Sequence, residues 1–321
     1  MTWGGEEGTV SGYLRNMRAA LLTLCFLALL VPPAGAQGSG GDLDRALVAR
    51  LTRDTTEVAV VLADPVSGLR SLWQPDLRYH AASTMKVPVL IELVHRIEAG
   101  EFGWDDPWPV RNRFASIADG SPYALSPADD SDSTLYAQEG RSVPVGALAW
   151  LMIARSSNLA TNILIERLGP GRVNATSRAL GADSIEVLRG VEDSRAFEAG
   201  RNNTTTARDL ATLLLAIAEG TAAGPQGTAR MLSILEAQEF NDGIPEGLPP
   251  GTRVAHKTGE IVATFHDSAL IYPPDGRPYA LVILTRGYAD REEAMRLMRD
   301  VARMGHAAVL AARGVSSSRR P

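Results

Sequence analysis

The sequence predicts an α/β (α+β) protein with an antiparallel sheet of about five strands, flanked by N- and C-terminal helices, and an inserted all-helical lobe. Two β-branched, apolar runs near the amino terminus have the pattern of a hairpin, and three further strand-like runs follow residue 250. Between these groups, apolar residues recur at helical spacing. One sheet built from both ends of the chain accounts for all three observations.

The amino-terminal elements begin with a short Gly/Ser linker, Gln37–Gly41, and a helical pattern over residues 42–54. Glu57–Ala63 and Leu69–Trp73, joined by a turn, predict the hairpin. Ser83–Glu98 predicts a helix that is apolar over most of its circumference. Such a helix is usually buried on all sides.

The middle of the chain is helical apart from two polar loops, 102–140 and 189–203. Its predicted helices are Pro144–Arg155, Leu159–Leu168, Asn174–Leu180, Thr206–Glu219 and Ala229–Glu236. The pattern then predicts three strands and a long amphipathic helix: Thr252–Lys257, Phe265–Tyr272, Tyr279–Thr285 and Asp290–Ala312. We therefore expect a sheet lobe from 37–79 and 250–314, a helical lobe from 80–249, and a disordered tail at 315–321.

The first 36 residues have the three parts of a secretory signal peptide. Arg15 and Arg18 precede the apolar run Ala19–Val31, and an A-x-A cleavage pattern ends at Ala36. The apolar run is too short to span a bilayer comfortably. The sequence predicts an exported protein, periplasmic or secreted, with no stable membrane anchor after cleavage; an uncleaved membrane anchor is the alternative. Met17 is an alternative start to Met1.

Composition excludes several classes of function. The net charge of -5 argues against a nucleic-acid-binding protein with a broad basic face. With Cys25 as its one cysteine and five scattered histidines, the chain offers no disulfide framework and no pattern for a metal site. We expect a monomer that needs no metal and no cofactor.

Lysine is very rare in this chain. Of 32 basic residues, only Lys86 and Lys257 are lysine, and the rest are arginine. Arginine does not release its proton near neutral pH, whereas a buried lysine does. The two lysines therefore mark places where proton transfer or a compact ammonium group is required.

Each lysine lies in a recognisable motif. Ser83-Thr84-Met85-Lys86 is S-x-x-K at the start of the apolar helix, and its i,i+3 spacing places the hydroxyl and the amine on one face. A serine hydroxyl becomes a good nucleophile when a base removes its proton, and Lys86 is the candidate base. Lys257-Thr258-Gly259 ends a strand, where glycine permits a ligand to approach the edge closely. A third motif, Ser156-Ser157-Asn158, interrupts two helices.

In this order and at these separations, the three motifs resemble those of the penicillin-recognising serine hydrolases. Within them the chain is most similar to the class A β-lactamases and their low-molecular-weight penicillin-binding relatives. The resemblance covers nearly all of the chain after the signal peptide and implies a β-lactamase/transpeptidase-like fold. It also implies a small-molecule β-lactam or a cell-wall stem peptide as the substrate.

The resemblance implies a role for each motif residue. Ser83 is the acylated nucleophile and Lys86 its base or part of a relay. Ser156 passes a proton to the leaving nitrogen, and Asn158 binds the amide of the substrate side chain. Lys257, Thr258 and, from the next strand, His266 bind the substrate carboxylate. Gly259 permits the close approach of the substrate. The N–H groups of Ser83 and Glu260 form the oxyanion hole. For His266, a strand histidine satisfied by its neighbours is the alternative.

The chain departs from the class A pattern in the loop 189–203. Class A enzymes carry a Glu there, in E-x-x-L-N, that holds the water for deacylation, and this chain has no such motif. Glu192 is the candidate base, with Glu198 behind it. The alternative is that these are solvated loop carboxylates or form loop salt bridges with Arg189 and Arg195. Ser157 also replaces the acid of the usual Ser-Asp-Asn.

That departure leaves three functions open. The first is a class A-type β-lactamase, which opens the ring through an acyl-serine and hydrolyses it. The second is a D-alanyl-D-alanine carboxypeptidase, or penicillin-binding protein, that deacylates slowly because a positioned general base supplies roughly 10²–10⁴-fold. The third is a non-enzymatic β-lactam-binding module.

Overall fold

The computed structural model describes residues 35–53 and 56–315. Its helices are α1 (Gly35–Leu51), α2 (Lys86–Glu98), α3 (Val145–Ala154), α4 (Asn158–Leu168), α5 (Pro170–Ala179), α6 (Ser194–Glu198), α7 (Ala207–Ala218), α8 (Pro225–Glu236) and α9 (Arg291–Arg313). Its strands are β1 (Glu57–Ala63), β2 (Arg70–Trp73), β3 (Tyr79–His80), β4 (Pro107–Pro109), β5 (Phe114–Ala115), β6 (Pro122–Tyr123), β7 (Ser142–Pro144), β8 (Thr204–Thr205), β9 (Arg253–Ile261), β10 (Thr264–Tyr272) and β11 (Tyr279–Arg286).

The main sheet is antiparallel, in the order β2-β1-β11-β10-β9. It joins the predicted hairpin to the three late strands, which confirms the predicted fold class. The pairing of Val60 with Ile283 illustrates the register between the two ends of the chain. The strand β9 lies at one edge of this sheet, so the motif that begins at Lys257 follows an edge.

Both faces of the sheet are buried, because successive side chains of a strand point to opposite faces. Val60 and Leu62 pack with α1 and α9, whereas Ala59 and Val61 pack with the helical lobe. Every residue from Lys86 to Val94 of α2 is buried, which confirms the prediction of a helix buried on all sides.

Short elements break the two predicted loops. The strands β4, β5 and β6 lie within 102–140, and each pairs locally with one neighbour. The helix α6 lies within 189–203 and begins where the Asp193 side chain accepts a hydrogen bond from the Ala196 N–H. The Asp193 carboxylate caps the amino-terminal end of this five-residue helix and so stabilises it.

Three helices begin at least four residues earlier than predicted. The helix α1 includes the predicted linker Gln37–Gly41 and ends at Leu51, the last apolar residue of its buried stripe. The helices α5 and α8 begin earlier, at Pro170 and Pro225, because proline is well suited to the first helical position.

The predicted signal peptide and tail lie outside the described residues, except for Gly35, Ala36 and Val315. The division into lobes stays a prediction. Within 35–53 and 56–315, no helix combines the length and the hydropathy that a membrane span requires.

Candidate active site

Ser83 lies in a turn of 3₁₀ helix, Ala82–Met85, that runs directly into α2 at Lys86. Residues three apart are eclipsed in a 3₁₀ helix, so the hydroxyl of Ser83 and the stem of Lys86 share a face, as the motif spacing predicts. Ser83 is half-buried and faces a cleft, whereas Lys86 has no exposed surface. The turn thus presents a serine from the end of a buried helix.

Lys86 is enclosed by polar acceptors from a different part of the chain. Its Nζ donates to the Ser156 carbonyl at 2.6 Å, to the Ser156 Oγ at 3.1 Å and to the Asn158 Oδ1 at 3.1 Å. Burial lowers the pKa of Lys86 to about 7, although the charges of Asp130 and Glu192 oppose that shift. A buried amine in this range holds and releases a proton at neutral pH.

Ser156 joins the two lysines. Its Oγ accepts hydrogen bonds from Lys86 Nζ at 3.1 Å and from Lys257 Nζ at 3.0 Å. Both lone pairs of the hydroxyl are then used, so its own proton is free to be donated into the cleft. Burial, together with the charge of Lys86, lowers the pKa of Lys257.

Asn158 connects Lys86 to Glu192. Its Oδ1 accepts from Lys86 Nζ at 3.1 Å, and its Nδ2 donates to Glu192 Oε1 at 2.7 Å. An amide has two donor hydrogens and two acceptor lone pairs, so each end keeps one unused position that a substrate amide can occupy. Burial raises the pKa of Glu192, as do the charges of Asp130 and Asp129, while the bond from Asn158 opposes the rise.

The structure therefore places Glu192 in the site and leaves Glu198 exposed on α6. The alternative of a loop salt bridge to Glu192 does not occur. Arg189 instead binds the backbone carbonyls of Gly190 and Arg201, and Arg195 pairs with Asp119.

Asn162, one helical turn after Asn158, holds the loop that carries Glu192. Its Oδ1 accepts from the Val191 N–H at 2.6 Å, and its Nδ2 donates to the Val191 carbonyl at 3.0 Å. A Cβ on Gly190 would lie 2.5 Å from the same Oδ1, so only glycine fits there. Sequence reasoning missed Asn162, although its i+4 spacing from Asn158 places both amides on one helix face.

Asp130 is a second residue that sequence reasoning missed. It lies within the predicted polar loop 102–140, yet its carboxylate accepts from the N–H groups of Asn158 and Leu159 at 2.9 Å. Tyr136 donates its hydroxyl proton to the same carboxylate at 2.9 Å. Ser157 is the residue that replaces the acid of the usual motif. The carboxylate at the first turn of α4 thus comes from Asp130, in a distant segment, and not from position 157.

The edge strand β9 passes very close to the Ser83 turn. A Cβ on Gly259 would lie 3.1 Å from the Ser83 backbone nitrogen and 3.2 Å from the Ala82 Cβ. The glycine of the lysine motif is therefore needed for the approach of the chain's own nucleophile turn. Thr258 and Glu260 line the same cleft, and the Glu260 carboxylate pairs with Arg291 at 3.0 Å.

His266 corrects one expectation. Its Nε2 lies 2.8 Å from the His80 carbonyl, and its Nδ1 lies 2.7 Å from the Phe265 carbonyl and 3.2 Å from the Thr285 N–H. The side chain is buried among these backbone groups, so no ring nitrogen is left to bind a substrate carboxylate. His266 therefore matches the alternative expectation, a strand histidine whose ring is hydrogen-bonded by its neighbours.

Backbone strain is concentrated at the site. In the described residues, the positive φ angles outside glycine belong to Gln74, Ala82, Ser156, Glu192 and Ala263. Three of these five lie in the site, at Ala82 (φ 45°), Ser156 (φ 57°) and Glu192 (φ 61°). Such conformations cost about 1–3 kcal/mol each and persist only where the surroundings impose them, which is common at functional sites.

Two cavities meet at Ser83. A polar cleft of about 230 Å³ is lined by Ser156, Thr258 and Arg291, among others. A wider groove of about 560 Å³ lies between the 189–203 loop and β9, with Phe197 and Val262 exposed at its rim. Ser83, Asn158 and Glu260 line both. Both cavities thus give access to the same hydroxyl.

Comparison with known sequences gives three matches of note. Residues 42–309 match the β-lactamase enzyme family. The chain is 24% identical over 245 residues to the extended-spectrum β-lactamase PER-1 of Pseudomonas aeruginosa, which covers 74% of this chain and 76% of that protein. It is 29% identical over 142 residues to a β-lactamase of Bacillus licheniformis, which covers 43% of this chain and 46% of that protein's length.

Solved structures give the same picture. PBP-A superposes with a TM-score of 0.71 at 27% identity, covering 84% of this chain and 96% of that chain. A mutant of PBP-A with the same scores has been solved as an acyl-enzyme complex with penicillin G. A β-lactamase from Sphaerobacter thermophilus superposes with a TM-score of 0.72 at 26% identity, covering 87% of this chain and 98% of that chain.

Proposed function

Because the chain belongs to the β-lactamase enzyme family, we propose that it opens β-lactam rings through a covalent intermediate on Ser83 and then hydrolyses that acyl-serine. The resemblance drawn from the three motifs, to class A β-lactamase-like serine hydrolases, is confirmed at the level of the family. The proposed mechanism and the role of each residue rest on the contacts of this chain.

The observation that carries the proposal is the junction of the chain's only two lysines on one hydroxyl. Lys86 and Lys257 both donate to Ser156 Oγ, at 3.1 and 3.0 Å, beside the S-x-x-K serine. Two amines without exposed surface repel each other when both are charged. The pair therefore favours a state in which one amine is neutral and able to accept a proton.

In the acylation step, Lys86 accepts the hydroxyl proton of Ser83 as the Oγ attacks the lactam carbonyl. The N–H groups of Ser83 and Glu260 stabilise the negative oxygen of the tetrahedral intermediate, and each such donor is typically worth 10²–10³ in rate. The C–N bond then breaks, and the nitrogen takes the hydroxyl proton of Ser156. The proton on Lys86 moves to Ser156 across their 3.1 Å contact.

In the deacylation step, Glu192 removes a proton from the water that attacks the acyl-serine ester. Burial raises the pKa of Glu192, which strengthens it as a base once it is ionised. The positive φ of Glu192 and the bonds from Asn162 to its neighbour Val191 support a fixed position for the carboxylate. The proton then returns to the Ser83 oxygen as the ester bond breaks.

Substrate binding uses the edge of β9 and the open positions of Asn158. The backbone of an edge strand offers hydrogen bonds to an extended substrate. Thr258 and the ammonium group of Lys257 are the proposed partners of the substrate carboxylate, and Asn158 is that of the side-chain amide. The Gly259 contact keeps this edge against Ser83.

A D-alanyl-D-alanine carboxypeptidase with slow deacylation is the second candidate. The loop 189–203 lacks E-x-x-L-N, and the likeness to PBP-A is as strong as that to the Sphaerobacter β-lactamase. The same acylation machinery would serve this reaction on a cell-wall stem peptide. The two functions differ in how long the acyl-serine survives.

The test uses the purified chain with nitrocefin and intact mass spectrometry. We expect steady hydrolysis that Ser83→Ala abolishes. Ser233→Ala, at an exposed serine on α8, leaves the rate unchanged. A stable adduct at Ser83 without turnover would point to the peptidase, or to a binding module if no cell-wall peptide is cleaved either. Well-folded protein that forms no adduct would overturn both proposed functions.

Export to the periplasm or the medium follows from the predicted signal peptide and stays a prediction. The same holds for the monomeric state and for the lack of a membrane anchor after cleavage. Fractionation of cells that express the full chain, with amino-terminal sequencing of the product, checks for cleavage after Ala36.

A further inference from the structure

The residue directly before the nucleophile is held in an unfavourable backbone conformation. Ala82 has a φ of 45°, a region that residues with a Cβ adopt rarely. The Ala82–Ser83 peptide supplies the Ser83 N–H, which is one proposed donor of the oxyanion hole. The conformation of Ala82 therefore sets the direction of that donor, and something must hold it.

His80 supplies the contact. Its Nδ1 accepts a hydrogen bond from the Ala82 N–H at 3.0 Å. A ring nitrogen accepts only when it carries no proton, so the ring must be neutral with its proton on Nε2. The groups around it favour that state. Burial, Arg189 of the neighbouring loop and His266 of β10 together lower the pKa of His80 to about 4.

The backbone of His80 is fixed as firmly as its ring. His266 Nε2 lies 2.8 Å from the His80 carbonyl, and because a carbonyl only accepts, Nε2 is the donor of this bond. The strand β8 pairs with His80 through Thr204. The ring of Tyr79 also contacts that of His266 edge-on, with centroids 5.8 Å apart. The two histidines thus form a chain of contacts from β10 to the peptide before Ser83.

The arrangement leaves one polar atom unsatisfied. His80 Nε2 is buried and has no hydrogen-bond partner among the described residues. A buried ring nitrogen left unpaired is unfavourable, and a half-buried side chain that served packing alone would be better apolar. The unpaired Nε2 is unfavourable, so the presence of a histidine here points to a role for its other ring nitrogen, Nδ1.

We propose that His80 is a positioning residue for acylation, whose neutral ring holds Ala82 in its left-handed conformation and so aims the Ser83 N–H at the substrate carbonyl. His266 supports it by binding its backbone. This inference rests on the proposed function, because it assigns His80 a part in the acylation of Ser83. No motif of the sequence includes His80.

The test compares three substitutions in the full chain. In His80→Asn, the side-chain oxygen takes the place of Nδ1 and keeps the acceptor for Ala82. In His80→Gln, the acceptor moves one bond further out, towards the position of Nε2, and His80→Ala removes it. As a control, His95→Asn changes a histidine that contacts the Ala222 carbonyl towards the far end of α2.

We expect the rate constant for covalent labelling by a fluorescent penicillin to fall roughly 10- to 100-fold in His80→Gln and His80→Ala, since misplacing a catalytic group by about 1 Å costs about 10². It stays within about threefold of wild type in His80→Asn and His95→Asn. The non-covalent dissociation constant that precedes labelling stays unchanged in all four, because the misdirected donor acts on the transition state. Thermal unfolding reports whether each variant is folded.

Two outcomes overturn the proposal. One is labelling of His80→Gln at the wild-type rate. The other is a loss in His80→Asn as large as that in His80→Gln, which would mean that ring packing matters and the acceptor does not. If His80→Ala does not fold, the Asn and Gln variants still decide. Wild-type protein that neither hydrolyses nitrocefin nor is labelled would instead refute the proposed function, so the two failures are distinguishable.

Discussion

Replacing Lys86 by arginine is expected to slow the acylation of Ser83 by at least about 10³-fold. The substitution keeps a positive charge and a long side chain but removes the ability to release a proton near neutral pH. It therefore tests proton transfer rather than charge.

The magnitude follows from the burial of the amine. With the ordinary lysine pKa of 10.5, roughly one amine in 3000 is neutral at pH 7, whereas the lowered pKa of about 7 leaves about half neutral. A guanidinium group with a pKa above about 12 is neutral in fewer than roughly one molecule in 10⁵. The three acceptors around Lys86 Nζ, all within 3.1 Å, also leave little room for a larger group.

The assay is the rate of labelling by a fluorescent penicillin between pH 5 and pH 9, with thermal unfolding as the control for folding. In wild type the rate rises as the amine of Lys86 loses its proton, with a midpoint near the pKa of about 7. Labelling of folded Lys86→Arg within tenfold of wild type would refute the role of Lys86 as a base. A wild-type rate that is flat across this range would refute it equally.

Two further predictions concern the carboxylates around Lys86. Glu192→Gln is expected to leave acylation intact and slow deacylation by roughly 10²–10⁴-fold, so the adduct accumulates in intact mass spectra. Unchanged turnover would remove Glu192 from the mechanism. Glu198→Gln, at an exposed carboxylate, is the control. Asp130→Asn is expected to move the rising part of the pH profile of labelling to lower pH, because the charge of Asp130, like that of Glu192, raises the pKa of Lys86 against the larger effect of burial. A profile that does not move, or moves to higher pH, would show that Asp130 acts only through its hydrogen bonds.

Much of the fold could be predicted because it depends on local periodicity. The hairpin β1–β2, the apolar helix α2 and the three late strands follow from alternation and helical spacing. The short elements within the polar loops could not be predicted in this way. The strand β8 exists only because β3 lies beside it, and a two-residue strand leaves no period in a sequence.

The site was predictable where chemistry depends on rare residues in fixed spacing. Ser83, Lys86 and Lys257 stand out in this way, and the structure brings all three to one cleft region. The three motif segments come together only in the tertiary fold. Asp130 does not stand out within the polar loop 102–140, because the amide groups that it binds are 28 and 29 residues away in the chain.

His266 shows the opposite error. The family resemblance implied a contact with substrate, yet its ring nitrogens contact the backbone of β3, β10 and β11. A histidine on a strand has the same sequence context whether its ring faces a ligand or a neighbouring carbonyl. The distinction depends on which strands pair, and pairing between distant segments is not encoded locally.

By itself, the sequence determined that a serine and a lysine share one face of a buried helix start, because residue types and an i,i+3 spacing suffice for that. Only the tertiary structure decided the protonation state of the amine and the position of the groups around it. A pKa depends on burial and on charges within a few ångströms. Here burial lowers the pKa of Lys86, and the charges that oppose it come from loops at Asp130 and Glu192, far from Lys86 in the chain.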